Sequence, residues 1–265
     1  MTMTMTDTQT SDVIVDLDGG ILSVSLNRPS KKNAITDAMY EAVAGALQRA
    51  QTDKAVRVVL IRGEGENLSA GNDIGDFTAI AMGMKPPEDL AVHRVLKGLA
   101  DLDKPLVIAV KGFAVGIGTT MLLNADLVFV AEDARLSTPF VNLALAPEAA
   151  SSLLMPMRIG HARAFSMFAL GEVIDGRTAA QWGLANAALP ADQVDAAALK
   201  ACQALAQRPI NALRATKRLM RDAEALWAIM QRENTAFGAQ LTTPEAREAF
   251  MAFAERRPPD FTKLD

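Results

Sequence analysis

The chain contains few of the residues that metal centres and disulfide frameworks require. Among its 265 residues there is one cysteine, Cys202, and there are two histidines, His93 and His161. A single cysteine cannot form an internal disulfide, and two histidines far apart in the sequence are too few for a zinc site. We therefore expect no metal site, and we expect Cys202 to be a small apolar residue on a helix face.

Positive charge and aromatic residues are also scarce. The formal net charge is −4 and aromatic residues make up 5% of the chain. Surfaces that bind nucleic acid or anionic lipid need a basic field, and single-stranded nucleic acid also needs stacking aromatics. This balance argues against a nucleic-acid or membrane partner, although a local basic cluster could still meet a small anion.

No apolar stretch reaches the length of a membrane span, and the N-terminus does not look like an export signal. Residues 1–12 are polar and lack the basic and apolar regions of a secretory signal peptide. We therefore expect a disordered tail over residues 1–12 and a cytoplasmic protein.

Half of the residues are hydrophobic, and their spacing predicts strands and helices in alternation, followed by helices alone. Alternation around Asp18-Gly19-Gly20 predicts a β-hairpin over residues 13–26, and a helix is expected from near Thr36. Further strands are predicted at residues 55–61, 106–110, 127–130 and 135–138. A mobile segment is predicted between Ile74 and Pro87, and residues 193–256 are predicted to be helical, with breaks near Pro209 and Pro244. The sequence thus predicts an α/β core over residues 13–195 and a helical C-terminal region over residues 196–265.

The stretch from Pro105 to Leu123 is the centre of this pattern. An apolar run over residues 106–110 predicts a strand buried on both faces, and Gly116 and Gly118 then flank Ile117, where a helical pattern begins. A glycine-rich turn before a helix leaves backbone N–H groups unpaired and adds the positive end of the helix dipole. Such a turn favours an oxygen anion, either a phosphate or one that develops during a reaction. The glycine spacing alone matches neither a dinucleotide fingerprint nor a P-loop, and it also suits close packing of a helix on a strand.

Three segments together carry a family resemblance: Leu26-Asn27-Arg28-Pro29 with Asn33-Ala34, then residues 69–74 (SAGNDI), then residues 111–118 (KGFAVGIG). Their order and spacing resemble the crotonase superfamily of acyl-CoA enzymes, also called the enoyl-CoA hydratase/isomerase family. The resemblance runs from about Val13 to Phe261. It implies a crotonase-like spiral of ββα units that assembles into trimers or hexamers, with the helical C-terminal region suited to packing against a neighbour. It also implies an acyl-CoA thioester as substrate and no separate cofactor, because coenzyme A is part of the substrate.

The resemblance also implies an oxyanion hole formed by two backbone N–H groups, those of Asn72 and Ile117. Both residues follow a glycine at a junction between a loop and a helix, and neither donor needs a particular side chain. The expected contacts with coenzyme A are Lys31, Ala70, Gly71, Asp73, Ile74 and Gly116. Lys31, or its neighbour Lys32, is expected near the phosphates, although the two lysines also fit a solvated surface pair.

The two glutamates of the hydratase branch are missing. The resemblance aligns them with Thr120 and Phe140, and neither side chain can serve as a carboxylate base. Adding water to a double bond needs one group to deprotonate the water and a donor for the neighbouring carbon. We therefore do not expect efficient hydration.

A carboxylate follows at Glu148, and Thr138-Pro139-Phe140 with Pro147-Glu148-x-x-Ser151-Ser152 resembles the Δ3,Δ2-enoyl-CoA isomerase branch. In that branch the glutamate is the single base, so the resemblance implies catalysis by Glu148 with an acyl pocket lined by Phe140, Leu143 and Leu145. Ala149 stands where a glycine is common, which could narrow the pocket.

Local sequence also fits a structural role for Glu148, in the first turn of a helix that begins at Pro147. A helix N-terminus would lower the pKa of Glu148, whereas a pocket lined by the three acyl-pocket residues and Met155 would raise it. Other reactions of the superfamily, namely hydrolysis, dehydration and decarboxylation, stay open, as does residual hydration. A different class of function, acyl-CoA binding without turnover, also stays open.

Overall fold

The computed structural model describes residues 12–75 and 90–263. The disordered tail predicted for residues 1–12 lies outside these ranges except for Asp12. The predicted mobile segment before Pro87 lies outside them from residue 76 onward. Within the described ranges, the chain forms two β-sheets and a series of packed helices.

A six-stranded sheet and a three-stranded sheet make up the α/β part, as predicted. The strands are β1 (Val13–Asp18), β2 (Ile21–Leu26), β3 (Val58–Gly63), β4 (Leu106–Val110), β5 (Phe113–Val115), β6 (Leu127–Ala131), β7 (Arg135–Ser137), β8 (Ile174–Asp175) and β9 (Ala187–Leu189). The large sheet has the order β1-β2-β3-β4-β6-β9 and is parallel except for the β1–β2 hairpin. In the small sheet, β7 lies between β5, which is parallel to it, and β8, which is antiparallel.

The predicted hairpin and central strand are confirmed. Gly19 and Gly20 have φ angles of 55° and 82°, as the two central residues of a hairpin turn require. Strand β2 is more buried than a half-exposed strand would be, because it lies between β1 and β3. All five residues of β4 are buried, as expected for a parallel strand that is covered on both faces.

One predicted strand begins later than the sequence suggests. β3 starts at Val58 and not at Ala55. Asp53 accounts for the difference, because its carboxylate accepts the N–H of Ala55 at 2.9 Å and its carbonyl accepts the N–H of Val56 at 3.2 Å. These bonds make a turn of residues that are apolar enough to suit a strand.

The helices follow the predicted pattern with shifted bounds. They are α1 (Asp37–Thr52), α2 (Val92–Asp101), α3 (Ile117–Thr120), α4 (Ser151–Ile159), α5 (His161–Phe165), α6 (Gly176–Trp182), α7 (Ala191–Ala206), α8 (Ile210–Met220), α9 (Ala223–Leu241) and α10 (Pro244–Glu255). Short 3-10 helices cover Pro29–Lys31, Met121–Asn124, Val141–Leu143 and Phe261–Lys263, and a π-helical turn covers Ser166–Leu170. Helix α1 is capped by Thr36, whose hydroxyl accepts the N–H of Met39.

The C-terminal region is helical, with the predicted breaks near Pro209 and Pro244 and a further break at Arg221–Asp222. The expected boundary between residues 195 and 196 falls within α7, which packs on β3, β4 and β6. Cys202 is fully buried on the core face of α7, and burial raises the pKa of its thiol to about 12. In the described ranges, no helix is long and apolar enough to cross a membrane.

Candidate active site

Asn33 joins the loops that carry the family motifs. Its side chain is fully buried and uses both of its polar atoms. The side-chain oxygen accepts the N–H of Arg28 at 2.7 Å, while Nδ2 donates to the carbonyls of Glu64 at 3.0 Å and Asn67 at 2.7 Å. This amide therefore fixes the Arg28–Asn33 loop against the loop that follows β3.

The second motif runs beside β5, the short strand of the third motif. The N–H of Ser69 donates to Phe113 at 2.9 Å, and the N–H of Val115 donates back to Ser69 at 3.0 Å. Gly71 has a φ of +92°, and a Cβ built on it would lie 2.9 Å from the carbonyl oxygen of Val115. Only glycine permits this approach. It places Asn72 and Ile117 on adjacent segments of the chain.

The two predicted oxyanion donors have backbone N–H groups that the fold leaves over. Among residues 12–75 and 90–263, no backbone carbonyl accepts a hydrogen bond from the amide of Asn72 or Ile117. Ile117 is the first residue of α3, and the amides of Thr119 and Thr120 both donate to Gly116 at 2.9 Å. Gly116 has φ 55° and ψ −118°, a combination that is essentially restricted to glycine. The geometry is thus compatible with an oxyanion hole, and that role stays a prediction.

Tyr40, which the sequence analysis did not single out, holds the side chain of Asn72. This tyrosine, the only one in the chain, is buried on α1, and its hydroxyl donates to Oδ1 of Asn72. The backbone on either side of Asn72 is also fixed, because the N–H of Ile35 donates to Gly71 and the N–H of Asp73 donates to Ile35. Asn72 is therefore held from both its side chain and its neighbouring peptide groups.

The predicted coenzyme A contacts lie on loops that bond to one another. The N–H of Ala70 donates to the carbonyl of Lys32 at 2.8 Å, which places the lysine pair beside the Ala70–Ile74 loop. Lys31 is exposed, whereas Nζ of Lys32 lies 4.5 Å from the centre of the Phe113 ring. Contact of Lys31, Ala70, Ile74 or their neighbours Gly71 and Gly116 with coenzyme A stays a prediction.

Asp73 has a structural partner in this loop. Its Oδ2 lies 2.6 Å from Nη1 of Arg28, and its Oδ1 accepts the N–H of Gly75 at 2.9 Å. Burial raises the pKa of Asp73, but the Arg28 and Gly75 hydrogen bonds outweigh it, and the net pKa is lowered. Asp73 is therefore an ionised anchor for Arg28.

Glu148 lies beside α3, the short helix that begins at Ile117. Its side chain is buried, with 5% of its surface exposed, and Oγ1 of Thr120 donates to Oε1 of Glu148 over a long 3.5 Å. Thr120 is the position that the family resemblance aligns with a hydratase glutamate. The fold therefore brings a carboxylate from residue 148 next to the position where residue 120 provides none.

The expectation that Pro147 begins a helix is wrong. Helix α4 begins at Ser151, and the two residues before it, Ala149 and Ala150, have positive φ angles of 62° and 58°. Glu148 therefore lies before a left-handed turn and not in the first turn of a helix. Burial raises the pKa of Glu148 to about 8, the negative charge of Glu233 adds to this, and the Thr120 hydroxyl opposes it. Of the two opposing influences expected from the sequence, burial is the stronger.

Ala149 gives a backbone reason for the glycine that is common at this position. A φ of +62° is strained for any residue with a Cβ atom. The residue is fully buried, and its carbonyl accepts Nδ2 of Asn124 at 2.9 Å. Whether Ala149 narrows the acyl pocket stays untested.

Glu233 is a second buried carboxylate that the sequence analysis missed. It lies on α9 with 6% of its surface exposed. Its Oε2 accepts the N–H of Ala150 at 2.6 Å, and its Oε1 accepts the N–H of Ser152 at 2.8 Å. A signal exists in the sequence, because Glu233 falls on the apolar face of α9, which carries the buried residues Leu226, Met230 and Leu241.

Two of the predicted acyl-pocket residues are in a separate hydrophobic cluster. Phe140 and Leu145 pack with Leu241, Ala246 and Phe250 of the last two helices, and Leu143 is partly buried against the same cluster. The Phe140 and Phe168 rings lie 6.0 Å apart. Met155 instead belongs to the main core. The C-terminal helices thus cover the residues expected to line the pocket, and a pocket formed by all four stays a prediction.

Metal ligands are not grouped in the described part of the chain: no set of three or more His, Cys, Asp or Glu side chains there is arranged to hold a metal ion. The chemistry of the site is instead that of two backbone amides and a buried carboxylate with a raised pKa. This combination suits removal of a proton next to a carbonyl group whose oxygen becomes negative.

Comparison with known proteins identifies the family. The family model described as enoyl-CoA hydratase/isomerase matches residues 16–264. Enoyl-CoA delta isomerase 2 of Rattus norvegicus is 34% identical over 255 residues, which cover 94% of this chain and 65% of the rat protein. The 2,3-dehydroadipyl-CoA hydratase of Escherichia coli is 30% identical over 259 residues, which cover 95% of this chain and 98% of that protein.

The fold has close solved counterparts. The crystal structure of an enoyl-CoA hydratase/isomerase from Pseudoalteromonas atlantica superimposes with a TM-score of 0.88 at 37% identity, covering 94% of this chain and 99% of that one. Since relatives named as isomerases and as hydratases both align along the chain, likeness alone does not select the reaction. The chain has the crotonase fold and belongs to the enoyl-CoA hydratase/isomerase family.

Proposed function

We propose that this protein is a Δ3,Δ2-enoyl-CoA isomerase, which moves the double bond of a 3-enoyl-CoA thioester into conjugation at the 2-position. The observation that carries the proposal is the placement of Glu148. Its carboxyl group is buried beside Thr120 on the short helix that begins with the Ile117 amide. A base at this place lies close to an anion-stabilising donor.

Glu148 takes a proton from C2 of the bound thioester, and the electrons of that C–H bond delocalise into a dienolate. The N–H groups of Asn72 and Ile117 bind the negative oxygen, each typically contributing about 3–4 kcal/mol to lowering the barrier. Glu148 then returns the proton at C4, which leaves the double bond between C2 and C3. One carboxylate suffices because it is first the base and then the acid.

The raised pKa of Glu148 suits both steps. A carboxyl group whose pKa is about 8 is a stronger base than an ordinary glutamate and a readier acid than water. General acid–base groups work best when their pKa lies near the working pH. Coenzyme A arrives as part of the substrate, so we propose no separate cofactor.

Hydration is the alternative within the family, and it needs a second proton-transfer group. Thr120 and Phe140 cannot provide one, and both oxygens of the neighbouring Glu233 accept backbone amides. These observations favour isomerisation over hydration. The same arrangement does not by itself exclude another acyl-CoA lyase or hydrolase reaction, or binding without turnover.

The test uses trans-3-hexenoyl-CoA and follows the ultraviolet absorbance of the conjugated thioester. We expect wild-type enzyme to raise the absorbance, and Glu148→Gln to lose on the order of 10³-fold in rate, as expected when a general base is removed. Glu224→Gln, at an exposed site on α9, is the matched control and should keep wild-type activity.

Other outcomes would point elsewhere. Hydration of trans-2-hexenoyl-CoA without isomerisation of the 3-enoyl substrate would contradict the proposal. Isomerisation that survives in Glu148→Gln would assign the base to another residue. Tight binding of the thioester without any turnover would support the non-catalytic alternative.

A further inference from the structure

Glu233 is a buried carboxylate that the proposed reaction does not use. Its side chain is 6% exposed and lies on the apolar face of α9, the helix that also buries Leu226 and Met230. A carboxylate removed from water is strongly unfavourable unless hydrogen bonds compensate for the lost solvation. Glu233 therefore needs partners, and the partners that it has are informative.

Both partners are backbone amides at the start of α4. The N–H groups of Ala150 and Ser152 donate to different oxygens of Glu233, at 2.6 Å and 2.8 Å. They belong to the turn in which Ala149 and Ala150 take positive φ angles, which residues with a Cβ atom avoid. Strain of this kind persists only where the surroundings fix the backbone. Glu233 provides that fixation from a helix that is 81–83 residues away in sequence.

This turn directly follows Glu148, so its conformation sets where the Glu148 side chain points. We infer that Glu233 is a positioning residue for Glu148: it holds the Ala149–Ala150 turn through two amides and places a second negative charge beside the base. The inference rests on the proposed function for its catalytic meaning, but its structural and electrostatic parts concern Glu148 alone.

The two carboxylates are not equivalent, and their contacts show which of them holds the proton. Glu233 accepts two short hydrogen bonds from amides, and Arg232 also favours its charged form. Glu148 receives only the 3.5 Å bond from Thr120. Burial raises the pKa of both groups, and the charge of Glu233 raises that of Glu148 further. The proton therefore resides on Glu148, and Glu233 carries the negative charge.

Two substitutions separate the hydrogen bonds from the charge. Glu233→Gln keeps the size of the side chain but has one oxygen and one NH₂ group, so it can accept from only one of the two amides in the present geometry, and it loses the charge. Glu233→Asp keeps the charge but is one methylene shorter, so it cannot reach both amides. Glu224→Gln, on the exposed face of the same helix, removes one charge far from the turn and is the control.

The first readout is steady-state kinetics with trans-3-hexenoyl-CoA over a range of pH. We expect Glu233→Gln to lower kcat by about 10- to 100-fold, the size of effect that misplacement of a catalytic group by about an ångström causes, with KM changed less than threefold. The acidic limb of its pH profile should also move to lower pH, because the repelling charge is gone. Glu233→Asp should lower kcat without moving the limb, and Glu224→Gln should change neither.

The second readout does not depend on turnover. In protein labelled with ¹³C at the glutamate carboxyl carbons, the resonance that disappears in Glu148→Gln reports the titration of Glu148. Its midpoint should fall in Glu233→Gln and stay near the wild-type value in Glu233→Asp. If wild-type enzyme does not isomerise the substrate but the midpoint shifts as described, the proposed function fails and the positioning role stands.

The opposite results would overturn the inference. A folded Glu233→Gln variant with wild-type kcat and an unshifted midpoint would do so. A variant that loses only thermal stability, with kcat and midpoint unchanged below its Tm, would show that Glu233 is structural and nothing more. If Glu233→Gln does not fold, Glu233→Asp decides: wild-type kcat in that variant contradicts positioning through the two amides.

Discussion

The two halves of the candidate site are built by different means. The oxyanion half consists of backbone amides presented by Gly71 and Gly116, and its loops are held by neighbouring strands and by the buried amide of Asn33. The base half consists of one side chain, that of Glu148, on a left-handed turn without glycine, held by Glu233 from a distant helix.

This difference determines which changes each half tolerates. The oxyanion half depends on the absence of Cβ atoms, so almost any side chain at its glycines should disrupt it. The base half depends on burial and on a long-range carboxylate, so it should respond to pH and to changes in α9. Three predictions test this contrast, in order of decreasing effect.

The largest effect is expected from Gly71→Ala. The new Cβ would lie 2.9 Å from the carbonyl oxygen of Val115, at a φ of +92°, so the backbone must move and the Asn72 amide must move with it. Loss of one oxyanion donor lowers kcat by about 10²- to 10³-fold, and stopped-flow or steady-state absorbance measurements would detect this.

Gly238→Ala is the matched control. A Cβ at this position in α9 meets nothing within 4 Å, and alanine is about 0.5–1 kcal/mol more favourable than glycine inside a helix. Gly238→Ala should therefore keep full activity and unfold at higher urea concentration. Equal activity of the two variants would contradict the role given to the Gly71 turn.

The next effect is a pH dependence that belongs to the base half. Because burial and Glu233 raise the pKa of Glu148 to about 8, the base is protonated below that pH. The value of kcat/KM should fall about tenfold for each pH unit below 8. Measurement between pH 5.5 and 9 would show this limb, and a limb near the ordinary glutamate value would mean that Glu148 is solvated.

The same pKa predicts a change in stability whose sign is opposite to that of activity. The folded protein binds the Glu148 proton more tightly than the unfolded chain does. The stability associated with this proton is therefore fully present below the unfolded pKa and is lost as pH rises through about 8. In thermal unfolding, the Tm of wild type should fall relative to that of Glu148→Gln between pH 6 and 9, and a constant difference would contradict a raised pKa.

The smallest effect is expected from Ala149→Gly. Relief of the strain at φ +62°, about 1–2 kcal/mol for a residue with a Cβ atom, offsets the greater flexibility of glycine and the loss of a buried methyl group. The free energy of unfolding in urea should therefore stay within about 0.5 kcal/mol of wild type. Ala198→Gly, equally buried but in the middle of α7, should lose about 2 kcal/mol. Similar losses at both positions would show that Ala149 is not strained.

The oxyanion half was predictable because its constraints are local. Strand β4 and the glycines around Ile117 leave a periodic signal within a few residues, and the structure confirms both. Strand β5 was not predicted, because three residues between Gly112 and Gly116 are too few to show alternation. Its pairing with β7 depends on residues about twenty positions further along.

The base half was predictable only in part. Family resemblance singles out Glu148, but the local pattern, a proline followed by an acid, wrongly suggests that a helix begins there. The competing left-handed turn has alanines and no glycine, so it leaves no local signal. Glu233 leaves one, a carboxylate on an apolar helix face, but its partners lie 81–83 residues away and cannot be identified from periodicity.

The long reach of Glu233 also orders the events of folding. The hydrogen bonds of the Asn72 and Gly116 loops are complete with residues up to Ser137, whereas the turn after Glu148 waits for α9. Contacts between residues far apart in sequence form late and slow the overall rate, and a chain made from its N-terminus folds its early elements first. The docking of α9 is therefore the step at which the folding protein gains a fixed base, and until then it holds an anion-binding site without one.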